Sequence, residues 1–496
     1  MNGQPVDDLV QSPGQVFRSR PIRVAMVVTL LGVGVHWAPA SWGPLRFFRQ
    51  PDAPQEALPE ASTEVDALGE AELKTETRAV DAMAAPAEAA RAAAPQAPLF
   101  GGAKEAPATA PRPEATSSLV DPTGHSLDHF FSALASTEKR TPGAVTRVAH
   151  FGDSIVVSDY VSGTARRLFQ KEFGDAGHGY MLIANAWPAY FHNDVFRYAT
   201  SGFRVSRIVG PLTSDGWYGL GGVTFRASAG VVAEFGTADK GDFGRNVSKF
   251  VLSYLEYPGG GQLLLDVDGK PAAEIETNGA TKVVRRHTLE VADGPHRFRL
   301  RVKGAAETRL FGVVLERDGP GVVVDALGVQ GARIRFLDKQ DDAHFKDELQ
   351  WRSPQLVVYQ FGANESGDGY AYSMADFSQT MKAVVAQTRA ALPRSSCLVI
   401  GAMDRARVEN GQVTSMKIIP LIIAEQRKAA AELGCAYFDT YGAMGGWGSM
   451  PSWVKRGLGQ ADMTHPTLVG AERIAGWIYQ ALMEKYRAFK TASTTP

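Results

Sequence analysis

A parallel α/β sheet covered by helices on both faces, interrupted by an all-β sandwich, is the architecture this 496-residue sequence predicts. Short, wholly apolar runs alternate with helical stretches near the start and throughout the end of the folded part. Strands of that kind are buried on both faces, which is the signature of a helix-covered parallel sheet. Between them, residues 186–320 carry no clear helix. They show short alternating runs (VTFRA, VVAEF, KFVLSYLEY, QLLLDVDG, HTLEV, HRFRLRV, RLFGVVLE) broken by turns such as YPGGGQ and VDGKP. Many short strands at regular spacing predict a sandwich.

Composition removes several function classes. Lys and Arg number 52 against 53 Asp and Glu, a net charge of -1, so no basic field is present to hold a nucleic acid. At 44% hydrophobic and 21% charged, the chain is too apolar for wholesale disorder. Its two cysteines, Cys397 and Cys435, exclude a disulfide scaffold, a zinc ribbon and an iron–sulfur site. The length suits about three units and a large core without staples.

The chain opens with a targeting segment. Residues 1–23 are a basic stretch ending in Arg18, Arg20 and Arg23, expected to stay in the cytoplasm. Residues 24–40 are an apolar run closing on Ala38-Pro39-Ala40, a signal peptide or an uncleaved signal anchor. The long basic segment before it favours the anchor. Residues 41–118 are rich in Ala, Pro and Glu and nearly free of aromatics, and read as a disordered spacer. These features imply an exported protein, periplasmic or in the cell envelope, tethered at the inner membrane if the anchor persists.

The folded part begins near residue 119. Residues 145–151 (VTRVAHF) predict a strand, residues 160–173 a helix, and Gly174 its stop. Gly152, Asp153 and Ser154 lie between, so the Ser154 hydroxyl is expected where a strand turns into a helix, close to unpaired backbone N–H groups. Further strands are expected at 355–361 (QLVVYQF), 397–403 (CLVIGAM) and 435–439 (CAYFD), with helices at 374–392 and 415–433. Chemistry in such sheets gathers at the carboxyl ends of the strands, where Ser154 and Asn364 both fall. Near the C-terminus, Asp462 and His465 stand three apart, just before a helix starting at about residue 466 or 467. One loop thus offers a base and the acid that orients it.

Gly152-Asp153-Ser154, Gly362-Ala363-Asn364 and Asp462-x-x-His465, in this order and strand context, resemble the SGNH (GDSL-type) hydrolases. The family's further glycine best matches Gly331 in DALGVQGARI, with Gly222 in GLGG as runner-up. The resemblance covers residues 145–184 and about 320–485, and implies a flavodoxin-like three-layer fold. The interruption, with HFGDSIVVSDYVSGTARRLFQKEFGDAGHGY, LFGVVLERDGPGVVVDALGVQGARI and VVYQFGANES, looks like the peptidoglycan O-acetylesterase subgroup. There the insert is similar to a carbohydrate-binding module of jelly-roll type. The implied division is a hydrolase domain over 119–185 and 321–496 with the insert at 186–320.

The resemblance implies Ser154 as nucleophile, His465 as base and Asp462 as its orienter. The oxyanion would be held by the N–H groups of Ser154 and Gly331 and by the Asn364 amide, with Gly152 and Asp153 shaping the nucleophile turn. It implies no cofactor and no metal, and an O-acetylated glycan as the partner molecule. Trp217, Tyr218 and Trp447 are candidate glycan contacts, since aromatic faces stack on sugar rings. Core packing is the alternative for them, as for Trp187, Tyr190, Phe191 and Trp453. His150, His178, His192 and His344 are expected to be structural. Cys397 and Cys435 open consecutive strands and either form a disulfide or remain two buried thiols. The same motifs serve an esterase, a polysaccharide O-acetyltransferase, or an inert glycan-binding core. The sequence sets no oligomeric state.

Overall fold

The structure, a computed structural model, describes residues 118–494. The expected cytoplasmic segment, the signal segment and all but the last residue of the spacer lie outside the described residues.

In chain order the first part holds β1 (Leu119–Val120), α1 (Asp128–Glu138), β2 (Val145–Gly152), α2 (Ser154–Val157), α3 (Tyr160–Phe173) and β3 (Gly177–Met181). Ten strands follow: β4 (Val195–Ala199), β5 (Arg204–Arg207), β6 (Val223–Ala227), β7 (Val232–Thr237), β8 (Val247–Glu256), β9 (Gln262–Val267), β10 (Lys270–Glu276), β11 (Val283–Gly294), β12 (Arg297–Lys303) and β13 (Thr308–Glu316). Then come β14 (Gly321–Gly328), α4 (Asp342–Arg352), β15 (Leu356–Gln360), α5 (Met374–Ala391), β16 (Ser396–Ile400), β17 (Ala406–Glu409) and β18 (Gln412–Ser415). The chain closes with α6 (Ile419–Glu432), β19 (Ala436–Phe438), α7 (Thr440–Met444), α8 (Ser449–Lys455) and α9 (Leu468–Thr494).

The central sheet has the order β1-β19-β16-β15-β2-β14. All its pairings are parallel except that of the edge strand β1 with β19. Alternation sorts its side chains. Ala149, Phe151, Val357, Tyr359 and Val399 join one buried cluster with α4, α5 and α6. Val148, Leu356, Val358, Leu398 and Ile400 join another with α1, α3 and α9. Three layers follow directly from that period of two.

The remaining long strands form two antiparallel sheets, β10-β9-β12-β7-β4 and β11-β8-β13-β6-β5. Phe250 of one sheet stacks on Phe298 of the other at 5.3 Å between ring centroids. Their core is continuous with the α4–α6 side of the central sheet, so the strands pack as one body with it. The SGNH-type fold with an all-β insertion, read from the sequence, is therefore the fold observed.

Strand β3 pairs antiparallel with β13 of the second sandwich sheet. Two details differ from the sequence reading. The helix expected from residue 415 begins at Ile419, with a proline in its first turn. Residue 415 instead closes the β17–β18 hairpin, turned by Asn410 and Gly411 at φ 50° and 77°. The final helix starts at Leu468, one or two residues later than expected.

Candidate active site

Ser154 opens α2 at the carboxyl end of β2. The helix is short but firmly begun, because the Asp153 carboxylate accepts from the Ile155 N–H at 3.0 Å. Gly152 is required by crowding: a Cβ there would lie 2.3 Å from Val156 Cγ2 and 2.9 Å from the Gln360 carbonyl. Strands β15 and β14 flank the turn, with Asp153 N–H donating to Gln360 O and Val329 N–H to Gly152 O. Gly152 and Asp153 thus shape the turn that carries Ser154.

The Ser154 Oγ lies 2.7 Å from His465 Nε2, and His465 Nδ1 lies 2.6 Å from Asp462 Oδ2. The second oxygen of Asp462 accepts from the N–H groups of Thr464 at 2.9 Å and His465 at 3.0 Å. Burial alone would raise the Asp462 carboxyl. The His465 ring and these N–H groups outweigh burial and hold it below the usual carboxylate range. The acid therefore stays ionised and fixes the imidazole. Met463, at φ 58°, gives the loop the bend that turns both side chains toward Ser154.

The oxyanion candidates converge on the same edge. Gly331 follows β14 at φ 73°, a conformation that favours glycine and turns its peptide. Among the described residues, neither the Ser154 nor the Gly331 N–H has an acceptor. Asn364 follows β15, is buried, and donates one side-chain N–H to Ala332 O at 2.9 Å. A carboxamide has two N–H groups, so the bond to the Gly331 loop aims the amide and leaves its second donor for a reacting oxygen.

Sequence reasoning missed the scaffold under these loops. Arg333 reaches Asn364 O at 3.2 Å and Asp368 at 2.7 Å, and the Glu365 carboxylate accepts from Ile334 N–H at 2.9 Å. Glu365 and Asp368 are braces in this geometry, and burial pushes the Glu365 carboxyl up. Asp404 accepts from Met450 N–H and from the hydroxyl of Ser415, both at 2.8 Å, and burial raises it too. Arg405 reaches two catalytic loops at once. The available signal was position: Asp404 and Arg405 are the charged pair directly after the apolar run CLVIGAM, at the carboxyl edge of the sheet.

The aromatic candidates divide. Tyr218 is 1% exposed and its hydroxyl accepts from Thr213 N–H, so it belongs to the core and offers no face to a sugar. Trp217 is half-buried and stacks on His344 at 5.0 Å and 5° between planes, so one of its faces is already covered. Trp187, Tyr190 and Trp453 are buried. Trp447 is 51% exposed, on the turn after α7, and keeps a free face. Gly222 is a turn residue beside Ile208 and Val329, whereas the residue after Gly331, Ala332, accepts from the Asn364 side chain.

The four named histidines are all buried and hydrogen-bonded. Desolvation takes His150 down to about 4 and His192 to about 3. Cys397 and Cys435 form a disulfide across the parallel β16–β19 pair. Among the described residues no cluster of His, Cys, Asp or Glu has the makings of a metal site.

A family model described as the GDSL-like lipase/acylhydrolase family matches residues 298–473. That span holds Gly331, Asn364, Asp462 and His465 and omits Ser154, which the fold brings back across the sandwich strands. Over those residues the chain is similar to that family. A solved structure titled as a peptidoglycan O-acetylesterase superposes with a TM-score of 0.64 at 22% identity, covering 75% of this chain and 99% of that one. A family two carbohydrate esterase from Cellvibrio japonicus (TM-score 0.23, 11% identity, 59% of this chain and 98% of that one) is more distant. So is a lipase/acylhydrolase from Enterococcus faecalis (0.25, 18%, 33% and 77%). No curated protein matches the sequence. No helix among the described residues is long and apolar enough to cross a membrane.

Proposed function

We propose that this SGNH domain is a serine esterase that removes O-acetyl groups from a cell-wall or extracellular polysaccharide, with peptidoglycan the favoured substrate. The observation that carries the reading is the unbroken relay from Ser154 through His465 to an ionised Asp462, set beside the donors of Gly331 and Asn364. Ser154 Oγ attacks the acetyl carbonyl while His465 takes its proton. The carbonyl oxygen, now negative, is met by the N–H groups of Ser154 and Gly331 and the amide of Asn364. The sugar C–O–acyl linkage breaks at the acyl carbon, and His465 returns the proton to the leaving sugar oxygen. Water, deprotonated by the same imidazole, then releases acetate.

Peptidoglycan is favoured by the similarity to the O-acetylesterase structure over three quarters of the chain. Export is part of the same reading, supported by the buried disulfide, which suits an oxidising compartment. The N-terminal segment would then tether the domain to the membrane. The test is acetate release by the full chain from O-acetylated peptidoglycan, acetylated xylan and p-nitrophenyl acetate, with Ser154→Ala alongside. The expected result is release from peptidoglycan above xylan, with kcat at least about 10³-fold lower in the variant. Turnover of the small ester alone would remove the substrate assignment. A faster reaction on adding an acceptor sugar would replace hydrolysis with transfer.

A further inference from the structure

Asn364 and His465 stand on different loops, after β15 and before α9. One side chain joins them. Arg405, in the loop after β16, donates through Nη1 to Ala363 O at 2.7 Å and to Ser366 Oγ at 3.0 Å. Through Nε it donates to Thr464 Oγ1 at 3.0 Å. Ala363 directly precedes Asn364, and Thr464 directly precedes His465. The Thr464 hydroxyl, having accepted from Arg405, donates to Asp462 O at 3.2 Å, and Ser366 Oγ donates back to Ala363 O at 2.6 Å. The backbone beside Arg405 adds a further tie, Ala406 N–H to Met463 O at 3.0 Å. That bond holds the residue whose positive φ would otherwise let the loop relax.

We propose that Arg405 is a positioning residue that locks the oxyanion amide of Asn364 and the His465–Asp462 base into one unit. The inference rests on the reading of Ser154 as nucleophile and goes beyond it. A guanidinium suits the task because its donors lie in one rigid plane and leave in different directions, so it can serve two loops at once. A lysine ammonium has no such fixed fork. The reacting groups come from four loops, and an error of an ångström between nucleophile, base and oxyanion donor costs on the order of 10²-fold in rate.

The experiment measures the rate constant and the final extent of Ser154 labelling by a fluorophosphonate, which needs no substrate assignment, together with kcat and KM on p-nitrophenyl acetate. Arg405→Met is expected to lower kcat and the labelling rate constant about 10- to 100-fold, with KM within about twofold. Arg405→Lys should fall between it and wild type. Thr464→Val, which removes the base-side contact of Arg405 and the hydroxyl's bond to Asp462 O, should lose several-fold. A merely structural role would reduce the final extent of labelling and the melting temperature but leave the rate constant of the folded fraction unchanged. Rate constants within twofold of wild type for Thr464→Val and Arg405→Lys would overturn the proposal, even if Arg405→Met fails to fold. Wild-type protein that shows no Ser154-dependent labelling would remove the nucleophile reading, and the proposal with it.

Discussion

Strand β2 begins in one kind of electrostatics and ends in another. At its start, Arg147 forks onto Glu316 at 3.0 and 2.9 Å, and Arg352 bridges Glu316 and Asp325, each at 2.9 Å. Every charge in that cluster has an opposite partner, and Glu316, Arg352 and Asp325 are buried. At its end, Ser154 and Gly331 hold N–H groups that no described residue accepts, and Asn364 keeps a second donor. The difference separates two uses of polar groups in one sheet. Full mutual satisfaction stabilises the fold, whereas donors left unmatched and held rigid can serve a charge that appears only during reaction.

The largest way to break this comparison is at the paired end. Burial alone would raise Glu316, but the charges of Arg352 and Arg147 and their hydrogen bonds bring it down to about 2. Glu316→Gln leaves two arginines short of their counter-charge and should destabilise the domain by about 3–5 kcal/mol in urea unfolding. Turnover per folded molecule should stay within twofold. Asn364→Ala acts at the other end and should do the reverse. It should lower kcat by about 10²–10³-fold, as for loss of one oxyanion donor, with a stability change of roughly 1 kcal/mol.

pH sharpens the comparison further. His150 sits one residue before Phe151 near the catalytic end of β2, and burial depresses it to about 4 despite its bond to Gln360. Its folded pKa lies below the unfolded value of about 6.5, so between those limits the unfolded state binds more protons. The stabilisation is complete above about pH 6.5 and is lost as pH falls toward 4, by roughly 3 kcal/mol. Glu316 acts in a lower window, with its contribution lost from about pH 4.5 downward toward 2. Urea midpoints recorded from pH 7 to pH 4.5 should therefore fall, and His150→Gln should flatten that fall while Glu316→Gln should not.

Much of this was legible in the sequence because it rests on local pattern. The strand 145–151, the helix 160–173 and the loop holding Asp462 and His465 lie where apolar runs, Gly174 and spacing put them. Ser154 and Asn364 could be placed at one sheet edge because parallel topology leaves no other edge for post-strand loops. What stayed hidden depends on contacts between distant segments. Arg405 carries no motif, and its importance lies in touching Ala363 and Thr464 simultaneously. Trp217 and Tyr218 looked like exposed turn aromatics, yet His344, far along the chain, covers one and the sandwich core absorbs the other. The Asn410-Gly411 hairpin was local and readable, but the apolar residues after it drew the expected helix start forward.

The central claim is that Ser154 carries the acyl group between two half-reactions, His465 giving a proton to the leaving oxygen in the first and taking one from water in the second. Rapid quench of the full chain with p-nitrophenyl acetate, followed by intact-mass and peptide analysis, tests it most directly. The account predicts an acetyl adduct on the peptide containing Ser154 that forms within one turnover, decays with release of acetate, and is absent in Ser154→Ala. An acetyl group found on another residue, or acetate released at the wild-type rate by Ser154→Ala, would contradict it.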